Sequence, residues 1–501
     1  MKPVTHVGLA ILSLAMLLGL AGCGGEKVDG KLNIQLLSVC EPTFTDFQAL
    51  IESYCISVEE VGGIIDHNCS SHLGNLELKV DQTSGKVRLI VEGLDINLRT
   101  IVRGRSVPIS LVSGEQNTIS IPVAPLEGFG LLAGQQDGCT ALPYLAAGHT
   151  ATVFPSGHVL VVGSGSPTVS PSQAAFLIDP ATARMDLIAT PTSLHRFGHS
   201  SSLLADGRLV VLGGENQVGS GQDEIVILRG TEKLHQTYDR ANDYLSISFE
   251  SLMNGLMVAR VAHDAALFNG DQILVNDSER TAEMFMGSTE QSGFIQVAPP
   301  FDPFPDNNSR IVTVTPIDQE RAVILGSLAD HNGMLTVTKN SRTISFTPFD
   351  LSVSPRSNAL GVALPRGQVM FLGGKTGSAI NDSPVVVIDS NTQTLHEVEI
   401  DSNTFPRVGY TATLLEDGRI FVIGGASISA QFVPGSTFFL EQSGDNPPKW
   451  LVYPGPQLMM PRAGHTTSLL EDGRLIVIGG ITAGPGVTDQ QVAASAEVIG
   501  F

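Results

Sequence analysis

The side chains best suited to chemistry in this chain recur at fixed places. Arg196, Arg407 and Arg462 occupy one repeated position, and His149, His199, His263 and His465 occupy another. A gathered set of imidazoles would make a transition-metal site, because neutral imidazole is the commonest metal ligand. The regularity argues the other way. A residue carried once per structural unit goes to equivalent sites along an array, so its copies are held apart. These arginines and histidines are expected to hydrogen-bond strand ends and turns between units. No catalytic residue, metal ligand or cofactor is assigned.

Other chemical motifs fail on context. Gly163-Ser164-Gly165-Ser166 has the glycines of a phosphate cradle, but no helix pattern follows to supply a positive helix end. There is no Gly-x-Ser-x-Gly nucleophile elbow. Asp277, Glu279 and the Asp/Asn-rich stretch around Asp306 read as turn formers, since no calcium-loop spacing with a terminal Glu is present.

The elements that carry these residues are repeats. The run from Arg196 reads Arg-Phe-Gly-His-Ser-Ser-Ser-Leu-Leu-Ala-Asp-Gly-Arg-Leu-Val-Val-Leu-Gly-Gly, and the runs from Arg407 and Arg462 nearly superimpose on it. In each, the first residue of the Gly pair falls 17 after the Arg, at Gly213, Gly424 and Gly479. The copies from Arg356 and Ala146 keep that spacing. Two copies are worn: Arg260 leads to Asp277-Ser278, and Arg310 to Gly326-Ser327, one residue short. Within one copy, Thr411-Ala-Thr-Leu-Leu is a strand, Glu416-Asp417-Gly418 a tight turn, and Arg419-Ile-Phe-Val-Ile a second strand. The second strand is an unbroken apolar run, as a strand buried on both faces requires.

Repeat starts at 146, 196, 260, 310, 356, 407 and 462 step by 50, 64, 50, 46, 51 and 55 residues. In period and motif, residues 128–501 resemble kelch repeats, which implies a seven-bladed β-propeller. The last copy stops after a third strand at Phe501, so the segment around Phe129 is expected to lend the missing outer strand and close the ring. Galactose oxidase is the best-known enzyme of this kind, and its copper-radical site takes two Tyr and two His, one Tyr being crosslinked to Cys. Here no cysteine follows Cys139, and the tyrosines beyond it are Tyr144, Tyr238, Tyr244, Tyr410 and Tyr453. The resemblance therefore implies the fold without that chemistry.

Ahead of the repeats, residues 31–125 show short strands separated by turn residues, and so predict a small β-sandwich. It loosely resembles Ig-like or transthyretin-like modules. A helix is possible over residues 45–54. The fold class is thus all-β. Cys40, Cys55, Cys69 and Cys139 predict two disulfides with three possible pairings. Residues 1–22 read as a leader: Lys2, then the uncharged apolar run 7–20, too short to span a bilayer. Leu20-Ala21-Gly22-Cys23 resembles a bacterial lipobox. That resemblance implies cleavage before Cys23, a diacylglycerol on its thiol, and a tether over residues 23–30. The chain is expected to be exported and lipid-anchored in the cell envelope. Gly24 rather than Asp after the Cys implies outer-membrane sorting in a Gram-negative source.

A net charge of −21 argues against nucleic acid, which demands a basic face. If repetition serves architecture, binding belongs to what does not repeat. The longest step holds an insertion over residues 215–232, so Glu215, Asn216, Gln217, Asp223 and Glu224 are the candidate ligand contacts. With the other loops that follow the Gly pairs, they should open on one face and suit a protein or glycan. The expected role is binding or scaffolding without catalysis. The alternative is a carbohydrate-active enzyme of the epimerase or hydrolase type.

Overall fold

The structure is a computed structural model. It describes residues 13–17, 31–37, 50–60, 63–71, 86–106, 108–109, 116–126, 128–132, 141–144, 146–163, 174–180, 183–191, 194–216, 225–233, 244–251, 256, 258–276, 282–286, 311–326, 331–338, 344–353, 359–376, 379–380, 385–398, 408–426, 437–443, 449–483, 490–493 and 495–501. Nearly all regular structure among them is antiparallel β-sheet.

Each repeat folds into one small sheet. In the sixth, Thr411–Leu414 pairs with Ile420–Ile423, which pairs with Thr437–Gln442 and then Trp450–Pro454. The third sheet has three strands among the described residues. In the last, Ala496–Ile499 pairs with Gly130–Leu131, so the outer strand comes from ahead of the first repeat. The first strand of every sheet lies against that of the next, and Thr466–Leu469 returns to Thr150–Val153. The first strands therefore make a closed ring.

The second strands explain the packing. Side chains alternate faces along a strand, so each second strand feeds two cores. Leu160 and Val162 pack with Leu209 and Val211 of the next sheet. Val159 and Val161 pack backward with Ile476 and Ile478 of the last. Val210 and Leu212 continue the pattern against Ile273 and Val275. A strand that serves two cores has no polar face, which is why these runs are uniformly apolar.

The Gly pair also has a physical task. Gly213 has φ +61, and a Cβ there would stand 2.7 Å from the Arg260 carbonyl oxygen and 2.8 Å from His263 Cε1 of the next sheet. Gly213→Ala should therefore cost about 2–4 kcal/mol, summing left-handed strain and overpacking. Gly207, at φ +82 in a turn with nothing within 4 Å of the added carbon, should cost only about 1–2 kcal/mol. Urea unfolding followed through the single Trp450 separates the two; equal losses would refute the packing account.

The N-terminal unit is a seven-stranded sheet. Its long strand Gln116–Pro125 is shared: it pairs in parallel with Lys31–Leu37, and its end pairs antiparallel with Thr100–Arg105. Ser13–Leu17, in the stretch read as a leader, lies as the edge strand against Lys31–Leu37. Residues 45–49 of the helix expected over 45–54 lie outside the described residues, and its last two residues open strand Ser53–Glu60, which pairs on both sides, with Gly63–Ser70 and Arg88–Leu94. Val102 and Val123 of this unit join the core between the last and first repeat sheets.

Candidate functional site

The repeated histidines sit at the joints between sheets. His199 Nε2 exchanges a hydrogen bond with Thr150 Oγ1 of the preceding sheet at 2.9 Å, and His263 Nε2 with Ser200 Oγ at 2.8 Å. His465 meets Thr411 at 3.1 Å, and His149 meets Thr466 at 2.9 Å across the closure. Each ring lies against the first glycine of the preceding sheet. The second glycine donates its N–H to the carbonyl of the residue that opens the next repeat: Gly214 to Arg260, Gly425 to Arg462, and Gly480 to Ala146. Burial lowers the pKa of His149 from 6.5 to about 4, against a backbone hydrogen bond with Ile478 that acts to raise it. Burial, reinforced by nearby arginines, holds His199 and His465 at about 3.

The repeated arginines are buried within their own sheets. Arg196 Nη1 donates to the Gly213 carbonyl at 2.8 Å. Arg260 pairs with Glu283 at 2.9 Å, and Arg462 with Glu497 at 2.6 Å. Arg462 also donates to the Gly479 and Ser495 carbonyls. Arg356 and Arg407 lie outside the described residues.

These contacts do not fit a copper centre of the two-tyrosine, two-histidine kind. Each of the four histidines is committed to a hydroxyl on its neighbour. The Tyr144 hydroxyl donates to the Ala174 carbonyl at 3.0 Å, and Tyr410 takes the histidine position against Gly373. Among the described residues, the one group of His, Cys, Asp and Glu side chains close enough to hold an ion is Cys55, His67 and Cys69, in the N-terminal sheet. Sequence reasoning missed His67. Its signal was the alternation His67-x-Cys69 against Cys55-x-Ser57, which becomes legible only once the strand register is known.

The two ends of the ring differ. At the Gly-pair end, Glu215 bridges to Phe197 through both backbone hydrogen bonds; its side chain is half-buried and Asn216 is exposed. Gln217, Asp223 and Glu224 lie outside the described residues, so the candidate contact set is placed only at its base. Two loops at this end carry hairpins of their own, Lys375–Thr376 with Ala379–Ile380 and Ile481–Ala483 with Gln490–Val492. At the opposite end, the N-terminal sheet meets the Asp-Gly turns of the last two repeats around a cavity of about 370 Å³. Its charges are internally matched: Arg105 with Glu59 at 2.5 Å and Glu416 at 3.2 Å, Arg103 with Glu92 at 2.7 Å, and Arg474 with Asp472 at 2.8 Å. A cavity so neutralised reads as a joint between units rather than an anion site.

Of the four cysteines expected to pair, Cys55 and Cys69 form a disulfide. Cys40 and Cys139 lie outside the described residues, as does the lipidation candidate Cys23.

No family model matches the sequence, and no curated protein matches it. Among solved structures, the chain is similar to a fungal alcohol oxidase of the AA5 family in complex with copper, at a TM-score of 0.51 and 17% identity, covering 72% of this chain and 74% of that one. It is also similar to YjhT, at a TM-score of 0.39 and 15% identity, covering 70% of this chain and 95% of that one. The likeness to the oxidase is one of fold alone: an all-β chain of small antiparallel sheets, consistent with a β-propeller.

Proposed function

We propose that the chain is an exported lipoprotein, anchored through Cys23, whose seven-bladed kelch-type propeller follows a small β-sandwich and binds a protein or glycan without catalysis. The observation that carries this reading is polarity. The N-terminal unit, which continues from the anchor and tether, sits over the Asp-Gly turns. The variable loops leave from the other end. An anchor at one end and loops at the other would present those loops away from the membrane, on a rigid support. The repeated Arg and His side chains supply rigidity, which leaves recognition to the loops.

The test is a glycan array and an affinity capture with the soluble chain starting after Cys23. Replacing residues 217–224 by a short Gly-Ser link should weaken capture at least tenfold and leave unfolding unchanged. Turnover of a sugar substrate by a chain that retains no ligand would sink this reading.

A further inference from the structure

Cys55 faces Cys69, and Ser57 faces His67, two rungs apart in one antiparallel hairpin. Residues two apart share a face of a strand, so all four side chains gather on one side. His67 Nε2 lies 3.2 Å from Cys69 Sγ, and His67 Nδ1 lies 2.7 Å from Ser57 Oγ. One donor atom from each of Cys55, His67 and Cys69 falls within a span of 4.8 Å. Cys55 and Ser57 are buried, while Cys69 and His67 are exposed.

We propose that reduction of the Cys55–Cys69 bond opens a site for a zinc-like divalent ion, held by the two thiolates and His67 Nε2. The chemistry of the donors selects the ion. Two thiolates and an imidazole suit a borderline-soft metal and disfavour calcium or magnesium. In a tetrahedral zinc site, bonds of about 2.1–2.3 Å place neighbouring donor atoms roughly 3.5–3.8 Å apart. The His67–Cys69 pair is already close to that separation, and the exposed Cys69 side chain is free to rotate away from Cys55. Ser57 supplies the outer support that metal-bound histidines require. With Nδ1–H donating to the buried hydroxyl, the Nε2 lone pair is directed at the sulfur. Water completes the coordination on the exposed side.

The electron balance needs an external dithiol. Its thiolate attacks the accessible Cys69 sulfur and Cys55 leaves as thiolate. The second thiol of the dithiol then displaces Cys69, so the reagent becomes a disulfide and the protein a dithiol. The metal ion then displaces the two thiol protons. With the Cys55–Cys69 bond intact, this site has no thiolate and offers only the imidazole.

Zinc binding to the full chain, oxidised and reduced, is measured by competition with a chromophoric chelator, and alkylation mapping locates the protected cysteines. Reduced chain should bind one zinc ion and protect Cys55 and Cys69 together. Oxidised chain should bind at least a hundredfold more weakly. Ser57→Ala should cost about tenfold in affinity, within the range known for such supporting groups, and His67→Ala more. Both variants leave the cysteines in place, so the disulfide still forms. Protection confined to Cys40 or Cys139, equal binding by both redox forms, or full affinity in His67→Ala would each overturn the proposal.

Discussion

Arg462→Met should destabilise the ring by about 3–5 kcal/mol, the loss that follows when one member of a buried ion pair is left alone. Arg462 and Glu497 are both completely buried and 2.6 Å apart. Glu497 would keep only the N–H groups of Met459 and Met460, at 2.8 and 3.1 Å. These two donors cannot replace a guanidinium. Methionine keeps much of the apolar stem, so the loss reports charge more than volume. The site magnifies the effect, because Ala496–Ile499, the strand that holds Glu497, is also the strand to which Gly130–Leu131 pairs to complete the last sheet. Arg184→Met is the control: its partner Asp186 is exposed, and such pairs contribute less than about 1 kcal/mol. Urea unfolding should separate the variants clearly. Arg462→Met with Glu497→Gln should recover part of the loss, since no bare charge remains. A single variant no worse than the control would mean that the buried pair is dispensable.

The fold was legible wherever one physical demand falls on every repeat. A second strand that feeds two cores must be apolar throughout, and each histidine at a joint needs a glycine opposite. Both leave period-long marks in the sequence. The worn copies obey the same rule. The third repeat has Asp277-Ser278 in place of glycines, and the fourth has no histidine, Thr313 pairing with Leu325 as Thr466, which follows His465, pairs with Ile478. At the four joints that keep the histidine, its ring faces the first glycine of the preceding sheet. What replaces the joint was not legible: Asp264 Oδ2 accepts the Val314 N–H at 3.1 Å, and burial raises the pKa of that carboxyl. The N-terminal unit was harder to read because nothing in it repeats. At the end of the stretch 45–54 read as a possible helix, strand Ser53–Glu60 begins and buries Ile56 and Val58 between two neighbours, and there tertiary packing outweighs local preference. The rung that joins Ser57 to His67 depends on register, which sequence alone does not specify.

Acidification should loosen the ring well before it protonates ordinary carboxylates. His149, His199 and His465 are held neutral in the fold, with pKa values of about 4, 3 and 3 against an ordinary 6.5. The unfolded chain therefore binds more protons in acid, and stability falls as pH falls. The loss begins near pH 6.5 and is complete below the folded values. At about pH 5 each histidine should remove on the order of 2 kcal/mol, so three together threaten a fold of ordinary stability. Asp264 acts in the opposite sense, because its raised pKa makes the native state the better proton acceptor. Asp318, Asp389 and Asp417 have lowered pKa values from their backbone and side-chain hydrogen bonds, which outweigh burial, so their contribution is lost only below the ordinary carboxylate range. The histidine window thus opens first as pH falls. Urea midpoints followed through Trp450 should drop between about pH 7 and pH 5, and His149→Gln with His465→Gln should flatten that drop. Glutamine can still meet the neighbouring Thr hydroxyl but does not titrate. A midpoint that stays level down to about pH 5 would mean that protonated imidazoles are tolerated at these joints.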